Sequence, residues 1–119
     1  MTILVTGGTG LVGSRLLRWF VDAGVNCRAL ARPGKEVPAG ATPTEGDLLD
    51  VDSLKPAVED VSAIVHLAAV FRTQNADDIW RANLDGTKNL IAAAKAHAPH
   101  ARFVMASTST TVLEKNNFM

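Results

Sequence analysis

The chain contains no tyrosine. Acid/base chemistry that runs through a phenol therefore has no residue to carry it in these 119 positions. Cysteine is nearly absent too. Cys27 stands alone, which excludes an internal disulfide and fits a reducing, cytoplasmic compartment. Neither sign of charge is in surplus, with 12 Lys and Arg against 12 Asp and Glu. That balance gives no broad field to draw in nucleic acid or an anionic membrane, and neither partner is expected. No apolar run comes near the roughly 20 residues that cross a bilayer. The first apolar run is broken at once by glycines, too early for a secretory signal. His66, His97 and His100 show no metal-ligand spacing with a cysteine or carboxylate, so no metal site is expected. No repeat and no low-complexity tract is visible.

What remains is a chain that is 47% hydrophobic and long enough for one domain with a single core. Its opening carries the strongest signal. Ile3-Leu4-Val5 runs into Thr6-Gly7-Gly8-Thr9-Gly10-Leu11-Val12-Gly13, and a helical pattern starts with Ser14-Arg15-Leu16-Leu17. Glycines at 7, 10 and 13 thus stand between a strand and a helix. Gly7 turns tightly, Gly10 lets backbone approach a pyrophosphate, and Gly13 lets the helix pack near the strand. The helix then presents unpaired N–H groups and its positive dipole end to phosphates. A glycine triplet alone also suits a plain turn, but the strand before it and the helix after it favour a phosphate cradle.

The pattern along the chain alternates strands with helices. Ile3 to Val5 reads as the first strand and Leu11 to Ala23 as a helix. Leu16, Leu17, Phe20 and Val21 line the core face of that helix, and Gly24 stops it. Asn26 to Ala31 reads as a second strand, and the prolines and glycines of 32–40 argue for a loop or a very short helix. Thr42 to Glu45 is a short third strand, ending at Gly46-Asp47-Leu48. Val51 to Glu59 is expected as one short helix that Pro56 weakens. Ser62 to Leu67 is a fourth strand, Asp77 to His97 a long helix closed by Pro99, and Arg102 to Ala106 a fifth strand. Ile79, Asn83, Gly86, Leu90 and Ala94 recur along the long helix at spacings of three and four.

Such alternation implies an α/β class, a Rossmann-like doubly wound parallel sheet in the order 3-2-1-4-5. Ligands of such sheets bind beyond the carboxyl ends of the strands, near the switch point between strands one and four. The glycine turn, Arg32, Asp47, the segment after Leu67 and the Ser/Thr run at 107–111 all fall there. Cys27 reads as a packed thiol, Trp19 as packing or interface surface, and His66 as a structural histidine at the end of strand four.

Taken together, these motifs resemble the amino-terminal part of an extended short-chain dehydrogenase/reductase, of the NAD(P)-dependent epimerase/dehydratase family. The glycine motif at 6–13 is one element of the likeness. Gly46-Asp47-Leu48 after strand three, His66-Leu67-Ala68-Ala69 at strand four and Asn83-Leu84-Asp85-Gly86-Thr87-Lys88-Asn89-Leu90 on the long helix follow in order. Ser107-Thr108-Ser109-Thr110-Thr111-Val112 resembles the family's segment after strand five. The likeness runs from residue 1 to about 112 and implies a dinucleotide cofactor.

Roles follow from the resemblance residue by residue. Gly7, Gly10 and Gly13 would carry the pyrophosphate, with the Leu11 and Val12 amides donating to it. Asp47 would accept from the adenine amino group, and the Leu48 backbone would face the adenine ring; a turn cap is the plainer role for Asp47. Ala68 and Ala69 would leave space under the ribose. Asn83 would support the site from the long helix. Family members that prefer NAD place a carboxylate after strand two to hold the ribose 2′-hydroxyl. Here Arg32 stands instead, where its planar fork suits a 2′-phosphate, and Lys35 adds a second charge. The resemblance therefore favours NADP(H), with NAD(H) possible. Ser109 would hydrogen-bond the substrate, or Thr108 if the register slips by one.

The likeness breaks at the family's Tyr-x-x-x-Lys acid/base motif, for which this chain has no tyrosine. Lys115 has no tyrosine before it to serve. The family's substrate domain is not expected within these residues either, so they are expected to bind cofactor without completing the chemistry. A non-catalytic nucleotide-binding or redox-sensing module, or a structural fragment with an empty site, are the other readings. Apolar surface left around strand five and the long helix is expected to drive self-association into a homo-oligomer.

Overall fold

Alternate residues of the first strand, β1 (Thr2–Thr6), serve two different cores. Leu4 packs into one cluster, Ile3 and Val5 into the other. A strand buried on both faces is what a parallel sheet covered by helices requires. The computed structural model describes residues 1–8, 11–31, 36–67 and 76–105. The other strands are β2 (Asn26–Ala31), β3 (Thr42–Glu45), β4 (Ala63–His66) and β5 (Arg102–Met105). All pairings are parallel, in the order β3-β2-β1-β4-β5. The expected order of a doubly wound sheet is thus the observed one.

Among the described residues three α-helices connect the strands: α1 (Leu11–Asp22), α2 (Lys55–Val58) and α3 (Ala76–His97). On one face, Leu17 of α1 is fully buried against Ile3, Val5, Cys27 and Ala29, with Leu16, Phe20 and Val21 packed beside it. The expected stripe of α1 is therefore its core face. Truncating Leu17 to alanine would cost about 2–5 kcal/mol. On the opposite face, Leu90 and Ala93 of α3 and Ala57 and Val58 of α2 meet Leu4, Leu30 and Ile64. Cys27 is buried, and burial pushes its thiol pKa up, as suits a packed group. Gly24 ends α1 at a φ of +78°.

The segment 51–59 departs from expectation. It is a 3-10 turn, Val51–Leu54, followed by the single α-turn of α2. Pro56 has no N–H to give, so it sits in the first turn of α2, where no donor is needed. The end of α2 is held from the sheet. Arg28 of β2 donates through Nη1 to the carbonyls of Pro56 (3.3 Å), Ala57 (3.0 Å) and Glu59 (2.7 Å). Asp60 then reverses the chain at a φ of +62°.

Among the described residues, no helix is long and apolar enough to cross a membrane. Trp19 is 66% exposed and lies against the Phe20 ring, with centroids 5.9 Å apart.

Candidate functional site

β1 ends at the switch point, and the glycine turn leaves from there. Gly7 has a φ of +76°, a conformation that a residue with a Cβ disfavours. Gly13, in the first turn of α1, lies against it. A Cβ on Gly13 would stand 2.7 Å from the Gly7 carbonyl carbon and 3.0 Å from Gly8 Cα, and would collide with the Gly7 carbonyl oxygen. Gly8 is confined as well, since a Cβ there would meet Leu17 Cδ1 at 2.7 Å and Ala29 Cβ at 3.2 Å. The turn is thus pressed onto both its strand and its helix.

This packing aims the start of α1 at the carboxyl end of the sheet. The first amides of a helix, here from Leu11 onward, have no intrahelical acceptor. No acidic residue lies in the first turn to neutralise the dipole. Val12 is 67% exposed there. A cradle that a single Cβ would fill, opening onto the amino-terminal end of α1, fits a pyrophosphate.

A second wall of the site follows β3. Gly46 donates its amide to Ala31 O at 3.2 Å, which joins this loop to the end of β2. Asp47 is exposed, and its Oδ1 accepts the Leu49 amide at 2.9 Å. That is the turn-capping role, and it occupies one carboxylate oxygen. Ser53 braces the same loop: its Oγ accepts the Asp47 amide at 2.9 Å and donates to Asp50 O at 2.7 Å.

Leu48 is half-buried over Gly86 of α3, where a Cβ would stand 3.2 Å from the Leu48 Cβ. Asn89 Nδ2 donates to Leu48 O at 2.8 Å. Sequence reasoning singled out Asn83 in α3 but missed Asn89, which ties the loop to the helix. It stands three residues after Gly86, so helical spacing placed the two on one side.

At the switch point itself, Thr6 and His66 are register partners on β1 and β4. Both are buried, and Thr6 Oγ1 lies 2.6 Å from His66 Nδ1. Thr6 Oγ1 also accepts the Leu67 amide at 3.0 Å. On the other side of the ring, His66 Nε2 lies 3.0 Å from Thr87 Oγ1, and that hydroxyl donates to Asn83 O at 2.7 Å. His66 therefore bridges β4 to β1 and to α3, in keeping with the structural role read for it. Burial lowers its pKa below the ordinary imidazole value.

The structure brings Gly7, Leu11, Val12, Gly13, Asp47, Leu48 and Asn83 to the carboxyl side of the sheet. Gly10, Arg32, Lys35, Ala68, Ala69 and Ser109, with its alternative Thr108, lie outside the described residues. Among the described residues no group of three or more His, Cys, Asp or Glu is placed to hold a metal ion.

Fold and glycine cradle together define a Rossmann-like dinucleotide-binding domain. Comparison with known proteins then gives the family. Residues 3–117 match the NAD dependent epimerase/dehydratase family, and the chain belongs to that family. It is 38% identical over 112 residues to a 2-alkyl-3-oxoalkanoate reductase of Stenotrophomonas maltophilia, spanning 91% of this chain and 33% of that protein. It is 30% identical over 125 residues to a 3 beta-hydroxysteroid dehydrogenase/Delta 5→4-isomerase of Mycobacterium tuberculosis, spanning 97% of this chain and 34% of that one. Among solved structures, a short-chain dehydrogenase/reductase superfamily protein of Agrobacterium tumefaciens with bound NAD superposes with a TM-score of 0.76 at 34% identity. That match covers 91% of this chain and 33% of the other. The chain thus spans about a third of the length of these relatives.

Proposed function

We propose that residues 1–119 form the cofactor-binding part of an epimerase/dehydratase- or reductase-type oxidoreductase, and that the cofactor is NADP(H) in preference to NAD(H). The observation that carries the cofactor reading is the close approach of Gly13 to Gly7, which sets the first turn of α1 against the Gly7-Gly8 backbone. Gly7, Gly10 and Gly13 with the Leu11 and Val12 amides would hold the pyrophosphate. Asp47, through the carboxylate oxygen not used in its turn, would accept from the adenine amino group. The Leu48 backbone, Ala68, Ala69 and Asn83 would line the adenine and ribose. A bound nicotinamide supplies the hydride acceptor or donor.

The NADP preference rests on Arg32, which follows β2 where a carboxylate would select the ribose 2′-hydroxyl. Lys35 adds charge beside it. Relatives named as reductases and dehydrogenases support the oxidoreductase class. Ser109 would hydrogen-bond the substrate. Because the 119 residues hold no tyrosine, we assign them cofactor binding without hydride transfer of their own. We further propose a cytoplasmic location and a homo-oligomer.

Titration with NADPH and NADH, followed by thermal unfolding and nicotinamide fluorescence, tests the proposal. Ligand at a hundred times its Kd stabilises a fold by about 2.7 kcal/mol. Arg32→Ala should weaken NADPH by about 1–3 kcal/mol and leave NADH nearly unchanged. Equal effects on both would remove the NADP preference. No shift with either nucleotide in the unaltered protein would remove the cofactor reading.

A further inference from the structure

The hydrogen bonds through His66 have a fixed direction. Thr87 Oγ1 donates its one hydrogen to Asn83 O. Towards His66 it can then only accept, so the 3.0 Å contact needs a proton on Nε2. In a neutral ring Nδ1 is left as an acceptor, and the Thr6 hydroxyl lies 2.6 Å from it. Thr6 Oγ1 receives the Leu67 amide at the same time. Hydrogens thus run from the Leu67 amide through Thr6, His66 and Thr87 to α3.

The described surroundings disfavour the charged ring. His66 is 4% exposed. Neither β1 nor β4 carries another charged side chain. On β5 the Phe103 ring lies 6.2 Å from the imidazole, and Arg102 pairs with Ala63 at the far end of the strand. On α3, Asp85 and Lys88 beside Thr87 are exposed.

We propose that His66, held as the Nε2–H tautomer, is a positioning residue for the dinucleotide site, fixing through Thr6 the strand end from which the Gly7-Gly8 turn departs. This rests on the cofactor reading above. Thr6 immediately precedes Gly7, whose positive φ begins the turn. Its Oγ1 binds the ring and shares the Leu67 amide with the Thr6 carbonyl, so the hydroxyl reinforces the backbone bond that joins the ends of β1 and β4. An apolar pair would fill the same space without fixing the direction of either strand end. Protonated His66 would present a donor at Nδ1 to a Thr6 oxygen already receiving the Leu67 amide, and the Thr6 hydrogen would have to turn away.

Two substitutions separate the halves of the bridge. In His66→Asn the shorter amide keeps an acceptor for Thr6 and loses Thr87. In His66→Gln the longer amide keeps a donor for Thr87 and loses the acceptor facing Thr6. Dissociation constants of NADPH are measured by fluorescence from pH 5 to 8, with urea unfolding of each variant alongside. His66→Gln should bind NADPH about tenfold more weakly at pH 8, and His66→Asn within about threefold of the unaltered protein. Affinity of the unaltered protein should fall as His66 protonates, and in His66→Asn only the part of that acid step that belongs to the 2′-phosphate should remain. Ring-nitrogen NMR should show Nε2 protonated and Nδ1 bare.

Variants that lose stability but share one dissociation constant and one pH profile would overturn the proposal and leave the cofactor reading standing. An Nδ1–H tautomer would overturn it as well. Failure of the unaltered protein to bind NADPH or NADH would overturn both.

Discussion

Gly13 packs so tightly on Gly7 that a Cβ at position 13 would come within 2.7 Å of the Gly7 carbonyl carbon. Backbone, not a flexible side chain, stands in the way, so relief requires α1 to move off β1. Gly13→Ala should therefore destabilise the domain by about 1–3 kcal/mol and abolish NADPH binding in the fraction that stays folded. Gly24 is the control. Its φ is +78° but a Cβ there would meet nothing. Gly24→Ala should cost about 1 kcal/mol, through the backbone alone, with NADPH affinity unchanged. Urea midpoints and fluorescence titrations check both.

Asp47 has one carboxylate oxygen in a turn and one available to a ligand, so two substitutions divide its roles. Asp47→Asn keeps an oxygen for the Leu49 amide and should leave stability nearly unchanged, while NADPH binding weakens several-fold. Asp47→Ala removes the turn bond too and should cost about 1 kcal/mol of stability. Unchanged NADPH affinity in both would confine Asp47 to the turn.

The order of the sheet was legible because β1, β4 and β5 hold short apolar runs and strands alternate with helices along the chain. Leu16, Leu17, Phe20 and Val21 repeat at helical spacing and are the core face of α1. The break between Val51–Leu54 and α2 was harder to read, because a proline is compatible both with weakening one helix and with starting another. The bridge from Thr6 through His66 to Thr87 was not legible as a unit. Its members are 60 and 21 positions apart, and parity alone does not say that β1, β4 and α3 meet at one ring. Asn89 was hidden similarly, because its acceptor is a backbone carbonyl 41 positions away. Glycine contacts were easier, since a missing side chain at a strand-to-helix turn has few explanations.

Burial lowers the pKa of His66 below its ordinary value of 6.5, which gives stability a pH dependence with a definite sign. Between the lowered folded value and 6.5 the unfolded chain binds more protons than the folded one. Stability should therefore be full above pH 6.5 and fall as pH drops through that window, then level off below the folded value. Urea unfolding from pH 5 to 8 should show this slope, and His66→Asn should flatten it. An unchanged slope in the variant would assign it to other groups.

Arg28 offers a stability effect separable from the site. Its three acceptors are the carbonyls at the end of α2, which have no helical donors of their own. Arg28→Met keeps the apolar stem and removes the donors, and should cost about 1–2 kcal/mol by urea unfolding. Arg28 pairs with Leu4 in the middle of β1, away from the glycine turn, so NADPH affinity should hold.

Self-association has its own structural grounds. Leu84 and Ile91 stand seven residues apart on α3, so they share a face, and they are 42% and 37% exposed. Val104 and Met105 on the edge strand β5 are 48% and 54% exposed. Among the described residues β5 pairs on one side only, which leaves a row of backbone donors and acceptors beside this apolar surface. Sedimentation velocity at high micromolar concentration should show a dimer or larger species. Leu84→Glu with Ile91→Glu should shift it towards monomer if α3 is the contact, and Val104→Lys with Met105→Lys if the edge strand is. A monomer at every concentration would show that neither surface closes on a second copy.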